Sequence, residues 1–172
     1  VKSECMTSNV CDFAKMATIL ERDFNKYLQN NRNGKFKSIN DTFYEYMKKG
    51  VNISRFKIYI ADLLKDVSFK DGTEYEIAEL KKARKNIGSI ITTNYDRMIE
   101  EIFSFAPLIG NDILLSNPYG SVYKIHGCVT AIDKIIITEE DYREFERRYE
   151  LIRAQLLSLF IHNPIIFIGY NI

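Results

Sequence analysis

Apolar residues recur at helical spacing through the first 86 positions, after which the pattern changes to short apolar runs separated by polar turns. Asp12 is a candidate N-cap for a helix reaching about Asn31. In it Phe13, Met16, Ile19, Leu20, Phe24, Tyr27 and Leu28 fall on one face. Ser38 is positioned to cap a second helix carrying Ile39, Phe43, Tyr46 and Met47, which stops at Gly50. A third helix spans about Ile53 to Val67. Thr73-Glu74-Tyr75-Glu76 has the form of a capping box and opens a fourth, ending near Lys85.

From Ile87 onward the runs are too short for helices. Gly88 to Thr92 reads as a buried strand, followed by a helix from Tyr95 to about Phe105 and by the breakers Pro107 and Gly110. Ile113 to Leu115, Ser121 to Ile125 and Lys134 to Thr138 read as further strands. Thr138 caps a long helical stretch from Glu139 to about His162, broken near Tyr149. Pro164 to Gly169 reads as a last strand buried on both faces. Buried strands alternating with helices require crossovers, and crossovers make the sheet parallel. The expected fold is therefore α/β, a Rossmann-like parallel sheet flanked by helices, with a largely helical N-terminal portion. Residues 1–86 form that helical portion and residues 87–172 the sheet portion of one domain, read as truncated at both ends.

Composition narrows the function. The chain of 172 residues holds 24 Lys and Arg against 23 Asp and Glu, a net charge of +1, so no basic excess points to nucleic acid. Lys81 to Lys85 is the densest basic run, and it sits at a helix end, where cations suit the dipole. Cys5, Cys11 and Cys128 show no CxxC spacing, so neither a disulfide framework nor a zinc ribbon is indicated and a reducing, cytoplasmic setting is expected. No apolar run approaches the roughly 20 residues that span a bilayer, so no membrane role is expected. The two Asn-x-Ser/Thr matches, at Asn40 and Asn52, carry no weight without a secretory signal.

Three polar clusters follow predicted strands, and in a parallel sheet the carboxyl ends of the strands line the ligand crevice. They are Thr92-Thr93-Asn94-Tyr95-Asp96, His126-Gly127 and Gly169-Tyr170-Asn171. Each alone has a plain structural reading: Thr92 or Asn94 as a helix cap, His126 as a satisfied core histidine. Together they place hydrogen-bonding and titratable groups from distant parts of the chain on one rim.

Taken in order, Thr92-Thr93-Asn94-Tyr95-Asp96, Tyr123-Lys124-Ile125-His126-Gly127, Ile136 to Tyr142 and Phe167 to Asn171 resemble the sirtuin-like NAD-consuming domains of prokaryotic antiphage proteins. The resemblance covers about residues 88 to 172. It implies NAD as substrate and cleavage of the nicotinamide–ribose bond through a transition state of oxocarbenium character. It also implies roles. Asn94 would hold a ribose hydroxyl or water, and His126 would accept a proton as the second catalytic residue. Thr92, Thr93 and Asp96 would bind the cofactor portion, Asp96 by accepting from the nicotinamide amide. Gly169 would allow close approach of the adenosine half, and Asn171 would stand near its ribose.

Two departures matter. Only Cys128 lies where sirtuin deacylases carry four zinc cysteines, so no metal is expected and hydrolysis is favoured over deacylation. The glycine-rich first strand and turn that bind the pyrophosphate are not in this chain, and no GxGxxG or P-loop occurs. The expectation is an NAD glycohydrolase, the effector of an antiphage defence protein acting as a homo-oligomer. A non-catalytic NAD-sensing or assembly module is the alternative, and NAD-dependent deacylation ranks last. Cys5 and Cys11 are read as inert thiols, Cys128 as a small core or rim residue, and His162 as a helix-end histidine. Tyr142, Phe145 and Tyr149 are read as a core stripe, and Glu139, Glu140 and Asp141 as acids favoured in a first helical turn.

Overall fold

A computed structural model describes residues 12–115 and 119–169. Cys5, Cys11 and Asn171 lie outside the described residues. The N-terminal half is helical: α1 (Phe13–Asn30), α2 (Lys37–Lys48), α3 (Arg55–Leu64) and α4 (Glu74–Ala83). Asp12 caps α1 through its side chain, which accepts from the Lys15 amide, and Ser54 does the same for α3 from Lys57. The caps expected of Ser38 and Thr73 are not made. A 3₁₀ turn at Gly34–Phe36 leads straight into α2, leaving Ser38 inside the helix. The Thr73 hydroxyl donates to the Lys70 carbonyl (2.7 Å) and caps nothing. Leu28, Ile39, Ile53 and Ile58 form the core shared by α1, α2 and α3. Phe24, Phe36, Phe43 and Tyr59 pack around it.

The second half holds a parallel three-stranded sheet of order β1-β3-β2, built from β1 (Ser89–Thr92), β2 (Ala106–Ile109) and β3 (Ser121–Lys124). The helix α5 (Met98–Phe103) connects β1 to β2, and β3 then enters between them. The register pairs Ile90 with Val122 and Ile91 with Tyr123, so the two-residue period sends alternate residues to opposite faces. Ile90 and Val122 join Phe103 and Phe105 on one face. Ile91, Tyr123 and Leu108 join Ile113, Ile152 and Leu156 on the other. The sheet is thus covered on both sides, and Val122 and Tyr123 are 0% exposed. The helices α6 (Glu139–Arg148) and α7 (Glu150–His162) follow, divided at Tyr149 as the pattern indicates. The fold is α/β and Rossmann-like in plan.

Three expected strands are corrected. Gly110–Leu115 is a 3₁₀ segment, and Ile132–Lys134 is another, after which residues 135–137 join no ladder. Pro164 to Ile168 has no regular secondary structure and joins no strand among the described residues, and Ile166 and Ile168 are 84% and 79% exposed. An apolar run shows hydrophobicity but not a hydrogen-bonding neighbour, and a strand needs both. Conversely β2 contains Pro107, which the sequence pattern marks as a break. A proline is tolerated there because β2 pairs on one side only in the described sheet.

Candidate active site

Parallel pairing of β1 with β3 puts Thr92 opposite Lys124, so both strands release their chains at the same edge of the sheet. Asn94 and His126 each stand two residues beyond those paired ends. The two emerging segments remain tied: the Ile125 amide donates to the Thr92 carbonyl (3.1 Å) and the Val129 amide to the Tyr95 carbonyl (2.9 Å). Asn94 is exposed on this rim, while His126 is half-buried.

The first cluster is shaped by local hydrogen bonds. Thr92 is buried, and its hydroxyl accepts from the Asn94 amide (3.1 Å), closing a turn that carries the chain off the strand. Thr93 and Asp96 are half-buried. One Asp96 carboxylate oxygen accepts from the Met98 amide (2.9 Å) at the start of α5, and the Asp96 main-chain carbonyl accepts from the Lys124 ammonium. Tyr95 donates its hydroxyl to the Ile136 carbonyl (2.6 Å). Burial, reinforced by the neighbouring Tyr142 and Asp141, holds that phenol well above its ordinary range, so it serves as a neutral donor.

His126 is anchored through its main-chain carbonyl, which accepts from the Ile136 amide (2.9 Å). Its imidazole meets the Tyr142 ring edge-on, with centroids 5.2 Å apart and planes at 88°, and Nδ1 lies 3.4 Å from the Tyr142 hydroxyl. Burial depresses its pKa below 6.5, so the ring is neutral at pH 7. Gly127, at φ +90°, is what lets the next segment fold back beneath it. A Cβ there would lie 2.4 Å from the Lys134 carbonyl oxygen and 2.8 Å from the Ile135 Cα. Cys128, fully buried, then bridges to Ala131 in a tight turn.

Tyr142 reaches His126 because the N-terminus of α6 is held in place. Thr138 and Asp141 form a reciprocal capping box. Asp141 also accepts from the Ile137 amide (3.0 Å) and from the Lys57 ammonium of α3 (2.5 Å). Burial raises the Asp141 pKa, but Lys57 and the Thr138 and Ile137 amides outweigh it and leave the carboxyl below its ordinary value. The Glu139 amide donates to Thr18 of α1 (3.0 Å), and Ile132 packs into the α1–α3 core. The helical half therefore buttresses the segment that positions Tyr142.

Sequence reading places Tyr142 in a core stripe, whereas it faces the candidate base. The available signal was its position one residue after the capping-box acid. Phe145 and Tyr149, the rest of that stripe, stack on each other (5.5 Å, 29°) and, with Ile125, Gly127 and Ile152, line a narrow crevice beneath the site. Gly169 stands at φ +65° with nothing within 4 Å of a Cβ, at the end of the exposed run rather than at the end of a sheet strand. His162 is exposed at the end of α7, with Nδ1 2.8 Å from the Ser158 carbonyl. Among the described residues no group of three or more His, Cys, Asp or Glu is arranged to hold a metal ion, and no helix is long and apolar enough to cross a membrane.

Residues 88–172 match the family model described as a SIR2-like domain. No curated protein matches the chain. The matched segment begins just before β1 and contains both Asn94 and His126.

Proposed function

We propose, from the premise that residues 88–172 form a SIR2-like domain, that this chain is the catalytic part of an NAD glycohydrolase. SIR2-like domains use NAD; the choice of water as acceptor is our own reading. The observation that carries it is the emergence of Asn94 and His126 from adjacent parallel strands at one edge of the sheet, with the imidazole held neutral by burial.

In this reading Asn94 offers its amide to a ribose hydroxyl and to the attacking water. His126 takes a proton from that hydroxyl or water as the bond from ribose C1′ to the nicotinamide nitrogen breaks and the bond to the water oxygen forms. The products are nicotinamide and ADP-ribose, and the proton leaves through the imidazole. The base role requires the tautomer with Nδ1 protonated and Nε2 free, and a Tyr142 hydroxyl 3.4 Å from Nδ1 suits that tautomer by accepting its N–H. Thr92 and Thr93 shape the rim, and Asp96 offers its second carboxylate oxygen to the nicotinamide amide. Gly169 and Asn171 would serve the adenosine half. The tight Cys128–Ala131 turn directly after Gly127 supports a small acceptor over an acylated peptide. The prokaryotic sirtuin-like resemblance supports a defence effector that works as a homo-oligomer.

The test is release of nicotinamide from NAD by the complete protein. His126→Ala and Asn94→Ala are each expected to lower turnover at least ~100-fold with the fold retained. Wild-type rates in both would refute the assignment. Stoichiometric NAD binding in calorimetry without product would instead establish a sensing module.

A further inference from the structure

Lys124 closes β3 with a side chain that is 0% exposed, a place where an ammonium ion is costly unless it is paired and hydrogen-bonded. Its Nζ crosses to the segment leaving β1. There it donates to the Asp96 main-chain carbonyl and stands 3.2 Å from Glu100 Oε1 in α5, a carboxylate 4% exposed. That oxygen makes no hydrogen bond, and the other, Oε2, accepts from Nζ only at 3.5 Å, so Glu100 acts on Lys124 chiefly as a counter-ion. Aliphatic side chains of similar volume commonly stabilise a core as well as a buried ion pair does. Stability alone therefore does not call for Lys124. What an aliphatic pair would lack is the donor on the Asp96 carbonyl.

The position of that donor gives it a use. The Asp96 carbonyl lies two residues past Asn94, and Lys124 lies two residues before His126. Other ties between the two segments involve the Thr92 carbonyl, the Tyr95 carbonyl and the Tyr95 hydroxyl, all upstream of the Asp96 carbonyl. We propose that Lys124 is a positioning residue that sets the spacing between Asn94 and His126, with Glu100 as its buried counter-ion. The inference rests on the NAD-cleaving reading of the same site.

The test uses the complete protein with Lys124→Met, Glu100→Leu and the double variant. Each single change strands a buried partner and lowers the melting temperature; the double change recovers it to within a few degrees of wild type. In the double variant, kcat for nicotinamide release is expected to fall at least ~10-fold with KM less affected. Amide exchange of residues 93–97 is expected to quicken at least ~10-fold, while β1 and β3 amides stay protected. A double variant with wild-type melting, turnover and loop exchange would overturn the proposal. If the aliphatic pair does not fold, the nearer isostere Lys124→Met with Glu100→Gln carries the same comparison. Were the wild type to release no nicotinamide, the function reading would fail by itself. Loop exchange would still decide the role of Lys124: quickened exchange upholds it and unchanged exchange ends it.

Discussion

Replacing Gly127 with alanine isolates the close packing that seats His126. The substitution adds one methyl group in two unfavourable circumstances. The backbone sits at φ +90°, where a residue with a Cβ loses about 1–2 kcal/mol. The new carbon also falls 2.4 Å from the Lys134 carbonyl oxygen and 2.7 Å from its carbonyl carbon, both main-chain atoms that cannot rotate away. Relieving that overlap requires residues 134–135 to shift, a cost of about 1–3 kcal/mol. The sum is a loss of about 2–5 kcal/mol. Gly72→Ala is the control, because Gly72 has nearly the same backbone (φ +85°) with nothing within 4 Å of its would-be Cβ. It carries the backbone cost without the overlap, and the gain of about 0.4–1 kcal/mol from lost freedom in the unfolded chain is common to both variants and cancels between them. With a urea slope of about 2 kcal/mol per M, the two midpoints should differ by about 0.5–1.5 M. Turnover of any folded Gly127→Ala protein should fall as well, because displacement of His126 by about 1 Å can cost about 100-fold. Midpoints of the two variants within ~0.2 M of each other would refute the packing beneath His126.

Asp141→Ala removes the capping-box acid and leaves Lys57, 13% exposed, without its partner, so urea denaturation should show a loss of about 3 kcal/mol at pH 7. The Asp141 pKa is depressed on folding, so this contribution is present above the unfolded value near 3.9 and is lost as pH falls through the lower folded value; the gap between wild type and Asp141→Ala should close below about pH 4. Tyr142→Phe deletes the hydroxyl beside Nδ1 of His126, and losing about 1 kcal/mol of orientation should lower kcat about 5-fold, against at least ~100-fold for His126→Ala; equal losses would contradict an orienting role. Because burial lowers the His126 pKa, the acid limb of the pH–rate profile should lie below 6.5, and a limb above 6.5 would contradict the buried environment.

Elements governed by neighbours in the chain were legible from the residues. Asp12 capping α1, Thr138 opening α6, the break at Tyr149, the run ending at Thr92 and, to within one residue, the run expected to end at Ile125 all follow from periodicity or from side-chain bonds spanning three or four positions. The grouping of Asn94 and His126 on one rim was likewise readable, because parallel strands deliver their carboxyl ends to a common edge. Tertiary structure alone decided the remainder. Whether Ile113 to Leu115 or Pro164 to Ile168 becomes a strand depends on an available hydrogen-bonding edge, and that edge is made by residues far away in sequence. Pro107 in β2 shows the reverse case, an apparent break accepted because the pairing is one-sided. The partners of the site are equally non-local. Lys57 finds Asp141 across 84 positions, Glu139 meets Thr18 across 121, and Lys124 turns inward to Glu100 across 24. A spacing pattern records which face a residue occupies; it carries no term for the distant charge or carbonyl that will meet it there.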